Sequence, residues 1–380
     1  CGQVGPRSAP PAKLGHHLPM TDPQASARTY ARIRYRLLLI DLVVWFAFLL
    51  GIQVLGISQG LAAWWGRVTK HEPLVILGYL ACFGFLQYAV TFPLRLYSSF
   101  ILEHRFGLSR LTRVGWVTRE AKHVVVGAVM GALLVEGLYA ILRYAPAHWP
   151  LWATIGWVGF SVVLARIFPT LLLPIFYKTT PVQDECLVRR LRALCQRVGL
   201  AVLGVFRFQL GAETRKANAA LAGLGKTRRV LLSDTLMSEF PPDEIEGVLA
   251  HELGHHRFRH IHQMLLLSAV GSWVTCALID RLAPQWVAAL GLTGLADIAG
   301  FPMLALWLSL LGLLGMPIQN GFSRHCEWQA DRFALKTTMP SAFAGALRRL
   351  AALNLADPNP PRWITWLFYD HPPITDRIRA

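Results

Sequence analysis

Long apolar runs alternate with basic polar segments along this chain, and six of the runs are long enough to cross a lipid bilayer. About 20 mostly apolar residues suffice, because the hydrocarbon core is about 30 Å thick and a helix rises about 1.5 Å per residue. The predicted spans are residues 37–57, 73–93, 123–142, 151–176, 264–282 and 298–318. The pattern therefore predicts a multi-pass α-helical membrane protein.

Composition and charge agree with this prediction. Hydrophobic residues make up 54% of the 380 residues and charged residues 16%, whereas soluble globular chains carry about 25% charged residues. The net charge of +16 does not indicate nucleic-acid binding, because the basic residues cluster between the apolar runs. Lys and Arg number 6, 5, 13 and 8 in residues 1–36, 95–121, 177–262 and 321–380, against 2, 0 and 0 in 58–72, 144–150 and 284–297. The positive-inside rule then predicts that both termini and the large loops are cytosolic.

The predicted organisation has five parts. Residues 1–36 form a basic, disordered segment, and 37–176 hold four spans with a cytosolic loop at 95–121. Residues 177–262 form a cytosolic α+β domain, in which 186–198 has helical spacing and 205–208, 218–222 and 229–232 resemble strands. Residues 263–320 hold the last two spans. Residues 321–380 complete the cytosolic domain with helices at 323–335 and 341–353.

Two ionisable residues lie well inside the predicted spans. Charges near the bilayer centre cost several kcal/mol unless they are paired or hydrated. Glu136 and Arg166 could form an internal ion pair or face a water-filled cavity, and the sequence leaves both alternatives open.

A metal-binding pattern lies in the cytosolic segment, on a helix that begins near Pro241. Side chains four residues apart share one helix face, so His251 and His255 can offer two imidazole nitrogens to one metal ion. Zinc suits such ligands and lowers the pKa of bound water toward about 7. Glu252 is then the candidate base that removes a proton from that water.

A candidate third ligand lies further along the chain. Glu327 could bind zinc while Asp331, one helical turn later, accepts a hydrogen bond from the distal nitrogen of a ligand histidine. The alternative is a solvated acidic face paired with Arg324 and Arg332. Gly254, within the histidine motif, would let another backbone or a substrate approach closely.

Other candidate residues are ambiguous from their chemistry. His256, His260 and His262 fit a basic, membrane-proximal face better than a ligand set. His371 could belong to a simple turn with Pro372, and Arg377 to a short helix.

Taken together, these motifs resemble those of the type I CAAX prenyl endoproteases, which are integral-membrane zinc metallopeptidases. The similarity runs from about Leu94 to the carboxyl terminus. It rests on these stretches, in the family's order: Tyr97-Ser98-Ser99-Phe100 with Glu103, Phe106 and Gly107; Pro174 to Lys178 with Thr180 and Pro181; Asn218-Ala219-Ala220 with Gly223 to Thr227; Leu232 to Leu236; His251 to His255; Glu327 to Asp331; and His371-Pro372-Pro373 with Arg377.

The resemblance implies a role for each matching residue. His251, His255 and Glu327 would bind one zinc ion, and Glu252 would be the base. Asp331 would support the site or donate a proton, and His371 would stabilise the tetrahedral intermediate.

The remaining matching residues would bind substrate. Asn218, Ala219 and Ala220 would lie beside it, and Arg377 near its carboxyl side. The resemblance also implies a wet chamber enclosed by the membrane helices. Two departures are visible. Residues 58–72 leave no room for the seventh span of eukaryotic members, and Ala220 replaces an aromatic residue.

The sequence thus predicts a zinc endopeptidase that is embedded in a lipid bilayer and cuts peptides or proteins, prenylated or otherwise membrane-associated. One alternative is a quality-control protease for misfolded membrane proteins. An alternative of another class is a metal or solute transporter. The membrane would be the inner membrane of a bacterium or the endoplasmic reticulum of a eukaryote.

Overall fold

The computed structural model describes residues 23–223 and 227–379. The elements from Pro23 to Phe176, which include the first four candidate membrane spans, are all helices. They are α1 (Pro23–Val54), α2 (Ile57–Val68), α3 (Glu72–Leu96), α4 (Leu102–Arg105), α5 (Arg113–Tyr144), α6 (Trp149–Ile167) and α7 (Leu173–Phe176). Short π-helical turns, Tyr97–Ile101 and Phe168–Leu172, join α3 to α4 and α6 to α7.

The second half combines a small sheet with further helices. In chain order they are β1 (Thr179–Pro181), α8 (Glu185–Arg197), β2 (Val205–Phe208), β3 (Ala219–Ala222), β4 (Arg229–Ser233), α9 (Asp234–Glu239), α10 (Pro242–Arg257), α11 (His260–Ala289), α12 (Phe301–Thr337), α13 (Pro340–Leu353), α14 (Arg362–Phe368) and α15 (Ile374–Arg379).

Six helices in the described part of the chain are long and apolar enough to cross a membrane, as the sequence predicts. They are Gln24–Val54, Glu72–Arg105, Arg113–Tyr144, Pro146–Phe176, His260–Ala289 and Ile298–Thr337. Many of their apolar side chains are exposed, which suits contact with lipid. Helix α2 has 12 residues and is too short to cross a bilayer.

The predicted disorder of residues 1–36 is wrong from residue 23 onward, where α1 begins; residues 1–22 lie outside the described part. Helix α1 extends into this segment because its amino-terminal part packs on a core cluster. Tyr30 is buried with Leu102 and Leu108, and Ile33 lies against them. The other domain boundaries stay predictions.

The sheet has strand order β1-β2-β4-β3, with β2 parallel to β4 and the other two pairs antiparallel. Strands β2, β3 and β4 match the predicted ones, and β1 was not predicted. One sheet face contributes Val230 and Leu232 to a core shared with α8, α10 and α13, and the other contributes Leu231 to a cluster with Leu173 of α7. Since β3 is an edge strand, one side of it has no partner strand among the described residues.

Helix α12 joins the last candidate membrane span to the α/β domain. Its 37 residues make it about 55 Å long, so the predicted last span and the predicted helix at 323–335 are one continuous helix. Pro317 is tolerated inside it. The ion pair considered for Glu136 and Arg166 is not among the ion pairs of the described chain, and Oε1 of Glu136 is buried without a hydrogen-bond partner there.

Candidate active site

The two histidines of the motif and Glu327 converge between α10 and α12. One ligand atom of each lies within 4.8 Å of the others. The Nε2 atoms of His251 and His255 are 3.1 Å apart. Oε1 of Glu327 lies 3.1 Å from Nε2 of His255, and its Oε2 lies 3.3 Å from Nε2 of His251. The structure therefore brings together the three residues that the sequence suggests as metal ligands.

Gly254 allows these two helices to approach each other closely. A Cβ atom at this position would lie 2.8 Å from Cα of Ala330 and 3.2 Å from its Cβ. Ala330 precedes Asp331 by one residue, so the glycine lies where the ligand-bearing faces of the helices meet. The sequence predicts that either another backbone or a substrate approaches Gly254 closely, and in the structure the backbone of Ala330 does so.

The donor set fits a metal such as zinc. Glu327 is 3% exposed. Its Oε2 makes no hydrogen bond among the described residues; the charged groups near it are Nε2 of His251 at 3.3 Å and Nη2 of Arg377 at 3.7 Å. A buried carboxylate oxygen without a donor costs free energy, and a cation at this position would satisfy it. Two imidazoles and one carboxylate are a ligand set of catalytic zinc sites, which keep a position open for water.

Asp331 orients the first ligand histidine. Its Oδ1 accepts a hydrogen bond from Nδ1 of His251 at 2.8 Å, which leaves Nε2 free to face the candidate metal position. The interpretation of Glu327 and Asp331 as a solvated acidic face does not hold, since Asp331 is only 2% exposed. Arg324, its suggested partner, instead donates to main-chain carbonyls.

Arg377 is committed to Asp331. Its Nε and Nη2 donate to the two carboxylate oxygens at 2.8 and 2.6 Å, and its side chain is 10% exposed. Such a bidentate pair is strong and geometrically specific. This geometry favours a role for Arg377 in holding Asp331 in place over a role in binding a substrate carboxylate.

Charge balance in the metal-free site rests on protons and on Arg377. Burial alone lowers the pKa of His251, but the neighbouring carboxylates of Asp331 and Glu327 outweigh burial and raise the pKa to about 9. This imidazole is therefore protonated at neutral pH when no metal is bound. A divalent cation would take over its role and release the proton.

His371 reaches the same site from the carboxyl-terminal tail. Its Nε2 lies 3.3 Å from Oε1 of Glu327, while its Nδ1 donates to Oδ1 of Asp370 at 2.8 Å. The hydrogen bond with Asp370 raises the pKa of His371, although burial opposes the change. The side chain is 53% exposed, so it can meet a substrate. Asp370 was missed from the sequence, where its position next to His371 was the signal.

The tail that carries His371 is fixed to two helices. Nη1 of Arg324, on α12, donates to the carbonyl oxygens of Thr365 and Tyr369 at 2.9 and 2.6 Å. The hydroxyl of Tyr35, on α1, lies 2.7 Å from that of Tyr369. These contacts hold the tail against the site.

Glu252 lies next to His251 on α10 and is half-buried. Its carboxylate makes no hydrogen bond or ion pair with the described residues, which leaves it available to a water molecule. The structure therefore leaves the Glu252 carboxylate without a hydrogen bond or ion pair to the described residues, and its role as the base stays a prediction.

The strand suggested for substrate binding, β3, contacts α10, the helix that carries His251 and His255. The amide of Ser233 donates to the carbonyl of Asn218 at 2.9 Å, so this pair is hydrogen-bonded, and pairs along an antiparallel ladder alternate. Ala220, opposite Leu231, therefore turns its main-chain groups toward β4. Those of Ala219 face the free edge.

His260 was assigned to a basic surface face, and this interpretation is wrong. The residue is 3% exposed, and its Nδ1 lies 3.0 Å from Nδ1 of His255. Helical spacing could not show this contact, because the chain turns between α10 and α11 and brings His260 back over the site. No signal for this turn is visible in the sequence, since Arg257-Phe258-Arg259 contains no Gly or Pro.

Comparisons with known proteins agree with this geometry. Residues 4–178 match the family described as CAAX prenyl protease N-terminal, five membrane helices. Residues 181–380 match peptidase family M48. Residues 4–178 of this chain contain four of the six candidate spans, and α2 is too short to be a fifth.

Two relatives and one solved structure cover most of the chain. CAAX prenyl protease 1 of Saccharomyces cerevisiae is 28% identical over 331 residues, which cover 82% of this chain and 72% of the yeast protein. The uncharacterized metalloprotease YhfN of Bacillus subtilis is 25% identical over 361 residues, which cover 93% and 84% of the two chains.

The crystal structure of S. mikatae Ste24p has a TM-score of 0.81 with this chain, at 24% identity, and covers 94% of this chain and 88% of that one. At this identity the likeness shows the fold only. That fold combines six membrane-capable helices with an α/β domain that contains a small sheet. The match to the M48 model covers more than half of the chain. The chain belongs to peptidase family M48 and is a membrane-embedded metalloendopeptidase.

Proposed function

We propose that this chain hydrolyses internal peptide bonds with one zinc ion held by His251, His255 and Glu327. The observation that carries the proposal is the convergence of these three residues around a buried oxygen of Glu327 that makes no hydrogen bond among the described residues. When bound there, zinc would act as a Lewis acid toward the scissile carbonyl and lower the pKa of water. Glu252 would take the proton from that water, since its carboxylate makes no hydrogen bond or ion pair with the described residues.

The remaining residues of the site orient groups and hold protons. Asp331 keeps the proton of His251 on Nδ1, and Arg377 holds Asp331 in place. Asp370 holds the imidazole of His371, whose Nε2 proton can then reach the oxyanion that develops on the substrate. A donor that binds more strongly in the transition state raises turnover.

Substrate is proposed to lie along β3 as an additional antiparallel strand. The free edge offers main-chain groups of Ala219 for hydrogen bonds that do not depend on sequence. The side chain of Asn218 is exposed at the start of this edge and can add a polar contact. The small Ala220 leaves room beside the strand.

The substrates are proposed to be membrane-associated proteins cut near their carboxyl terminus. Support comes from the curated relatives named CAAX prenyl protease 1 in several eukaryotes and from the direct continuity of α12 between the membrane and the site. Similarity to peptidases in both halves of the chain does not favour the transporter alternative.

The first experiment asks for hydrolysis by the purified full chain in detergent. An internally quenched peptide is incubated with the wild type and with Glu252→Gln, and product masses locate the bond that is cut. We expect one internal cut by the wild type and nearly none by the variant. Failure of the wild type to cut any peptide under zinc-replete conditions would contradict the proposed function.

A second experiment compares matched peptides. A carboxyl-terminal peptide with a farnesylated cysteine is paired with its unmodified form, and each is made as a free acid and as an amide. Preference for the farnesylated form would extend the relatives' named activity to this chain. Better cleavage of an unfolded membrane protein than of any of these peptides would instead support the quality-control alternative.

The same peptides test Arg377. If this residue only braces Asp331, the wild type should cut the acid and the amide at similar rates, and Arg377→Ala should lower stability and turnover on both. If it binds a substrate carboxylate, only the wild type should prefer the acid.

The topology is also a proposal, with both termini and the sheet on the cytosolic side. Cys186 is exposed on α8 and supplies a native label for that side. In right-side-out vesicles, a membrane-impermeant thiol reagent should modify Ala147→Cys and leave Cys186 unmodified. The reverse result would show the opposite orientation.

A further inference from the structure

A chain of hydrogen bonds runs from the second ligand histidine to the protein surface. Nδ1 of His255 lies 3.0 Å from Nδ1 of His260. Nε2 of His260 lies 2.9 Å from Oε1 of Gln329. Nε2 of Gln329 lies 2.9 Å from Nε2 of His325, which is exposed. These hydrogen bonds thus link His255 to His260 and Gln329, to which the proposed mechanism gives no role.

The direction of these bonds follows from metal binding at Nε2 of His255. A neutral imidazole that uses Nε2 as a ligand carries its proton on Nδ1, so His255 is the donor to Nδ1 of His260. His260 must then hold its own proton on Nε2 and donate it to Oε1 of Gln329. The amide group of Gln329 is left to donate to His325. Each donor meets an acceptor, so one arrangement of protons satisfies all three bonds.

The backbone is strained where it brings His260 back to the site. Arg259, between α10 and α11, has φ 57°, in the left-handed region that is unfavourable for a residue other than glycine. The ring of His260 also stacks on Phe258, with centroids 5.7 Å apart. Packing and hydrogen bonds therefore hold the imidazole of His260 in place and offset the unfavourable backbone conformation of Arg259.

The network connects the two helices that carry the ligands. Gln329 lies on α12, two residues after Glu327, while His260 begins α11 directly after the ligand helix α10. His251 has Asp331 at its distal nitrogen, and His255 has His260 in the corresponding place. Each ligand histidine therefore has one buried partner that fixes its ring.

We propose that His260 and Gln329 are positioning residues, which hold His255 in the tautomer with its proton on Nδ1 and its lone pair on Nε2. The inference rests on the proposed metal site. His260 acts through its acceptor nitrogen, and Gln329 acts by keeping the proton of His260 on the opposite nitrogen. Neither residue contacts the substrate.

Two conservative substitutions separate the two bonds of His260. In His260→Asn, the amide oxygen takes the place of Nδ1, so the acceptor for His255 is kept and the link to Gln329 is lost. In His260→Gln, the amide reaches the place of Nε2, so the link to Gln329 is kept and the acceptor for His255 is lost. His262→Ala is the matched control, because His262 lies nearby and is exposed.

The experiment measures zinc affinity of the full chain by competition with a chelator, together with the visible spectrum of the cobalt-substituted protein. We expect His260→Gln to bind zinc roughly 10- to 100-fold more weakly and to change the cobalt spectrum. His260→Asn should remain closer to the wild type, and His262→Ala should equal it. Gln329→Leu, at a half-buried position, should show a smaller loss than His260→Gln.

Each outcome decides a separate point. Wild-type affinity and spectrum in His260→Gln, or an equal loss in His260→Asn and His260→Gln, would overturn the positioning role while the metal site stands. Absence of zinc binding in the wild type would overturn the proposed function itself. Thermal unfolding of the metal-free variants identifies any loss that comes from misfolding, and Gln329→Leu then provides the test.

Discussion

Gly254→Ala should weaken the metal site more than it weakens the fold. The new Cβ would lie 2.8 Å from Cα of Ala330, whereas carbon atoms pack best at about 3.5–4.0 Å. The obstacle is a backbone atom, which cannot rotate away as a side chain could. Helices α10 and α12 must therefore move apart by roughly 0.7–1.2 Å at this point.

The two effects differ in size. Overpacking of this kind costs about 1–3 kcal/mol, and alanine regains about 1 kcal/mol over glycine inside a helix, so the free energy of unfolding should fall by about 0–2 kcal/mol. Metal sites need ligand distances within about 0.2 Å. A displacement several times larger separates Glu327 from the two histidines, so zinc affinity should fall at least roughly 10-fold.

The assay pairs chelator competition for zinc with thermal unfolding of the metal-free protein. Gly271→Ala, on α11, is the matched control, because a Cβ there meets no atom within 4 Å; it should keep wild-type zinc affinity and be at least as stable as the wild type. Wild-type zinc affinity and peptidase activity in Gly254→Ala would refute the view that close helix contact sets the ligand geometry.

Four further substitutions test separate parts of the proposed mechanism and of the sheet. Glu252→Gln should retain zinc and lose nearly all activity, because it removes the base and leaves the ligands; metal analysis and peptide cleavage check this. His371→Ala should lower kcat roughly 100-fold or more with unchanged zinc content, as expected for loss of one oxyanion donor. Ala219→Pro should raise KM with little change in unfolding temperature, since its amide faces the free edge. Ala220→Pro should lower the unfolding temperature, because it removes a bond to β4.

Local patterns in the sequence predict much of this protein. Apolar length alone gives the six spans, and the four-residue spacing of His251 and His255 places both on one helix face. The same spacing relates Glu327 to Asp331. These features depend on the geometry of single helices, which short stretches of sequence determine.

Features that depend on contacts between distant segments were less accessible. The left-handed turn at Arg259 redirects the chain, so the spacing of His260 says nothing about its contact with His255. The start of α1 depends on packing around Tyr30 by residues more than 70 positions away. Strand β1 has three residues, too few for a recognisable alternation.

The central claim is that peptide hydrolysis here depends on a metal held by two helices of a membrane-embedded chain. The most direct measurement follows cleavage of one peptide by the purified full chain as zinc is first removed with a chelator and then added back. The account predicts loss of activity on removal and full recovery near one zinc per chain. Sustained cleavage by metal-free protein, or recovery that does not follow zinc content, would contradict it.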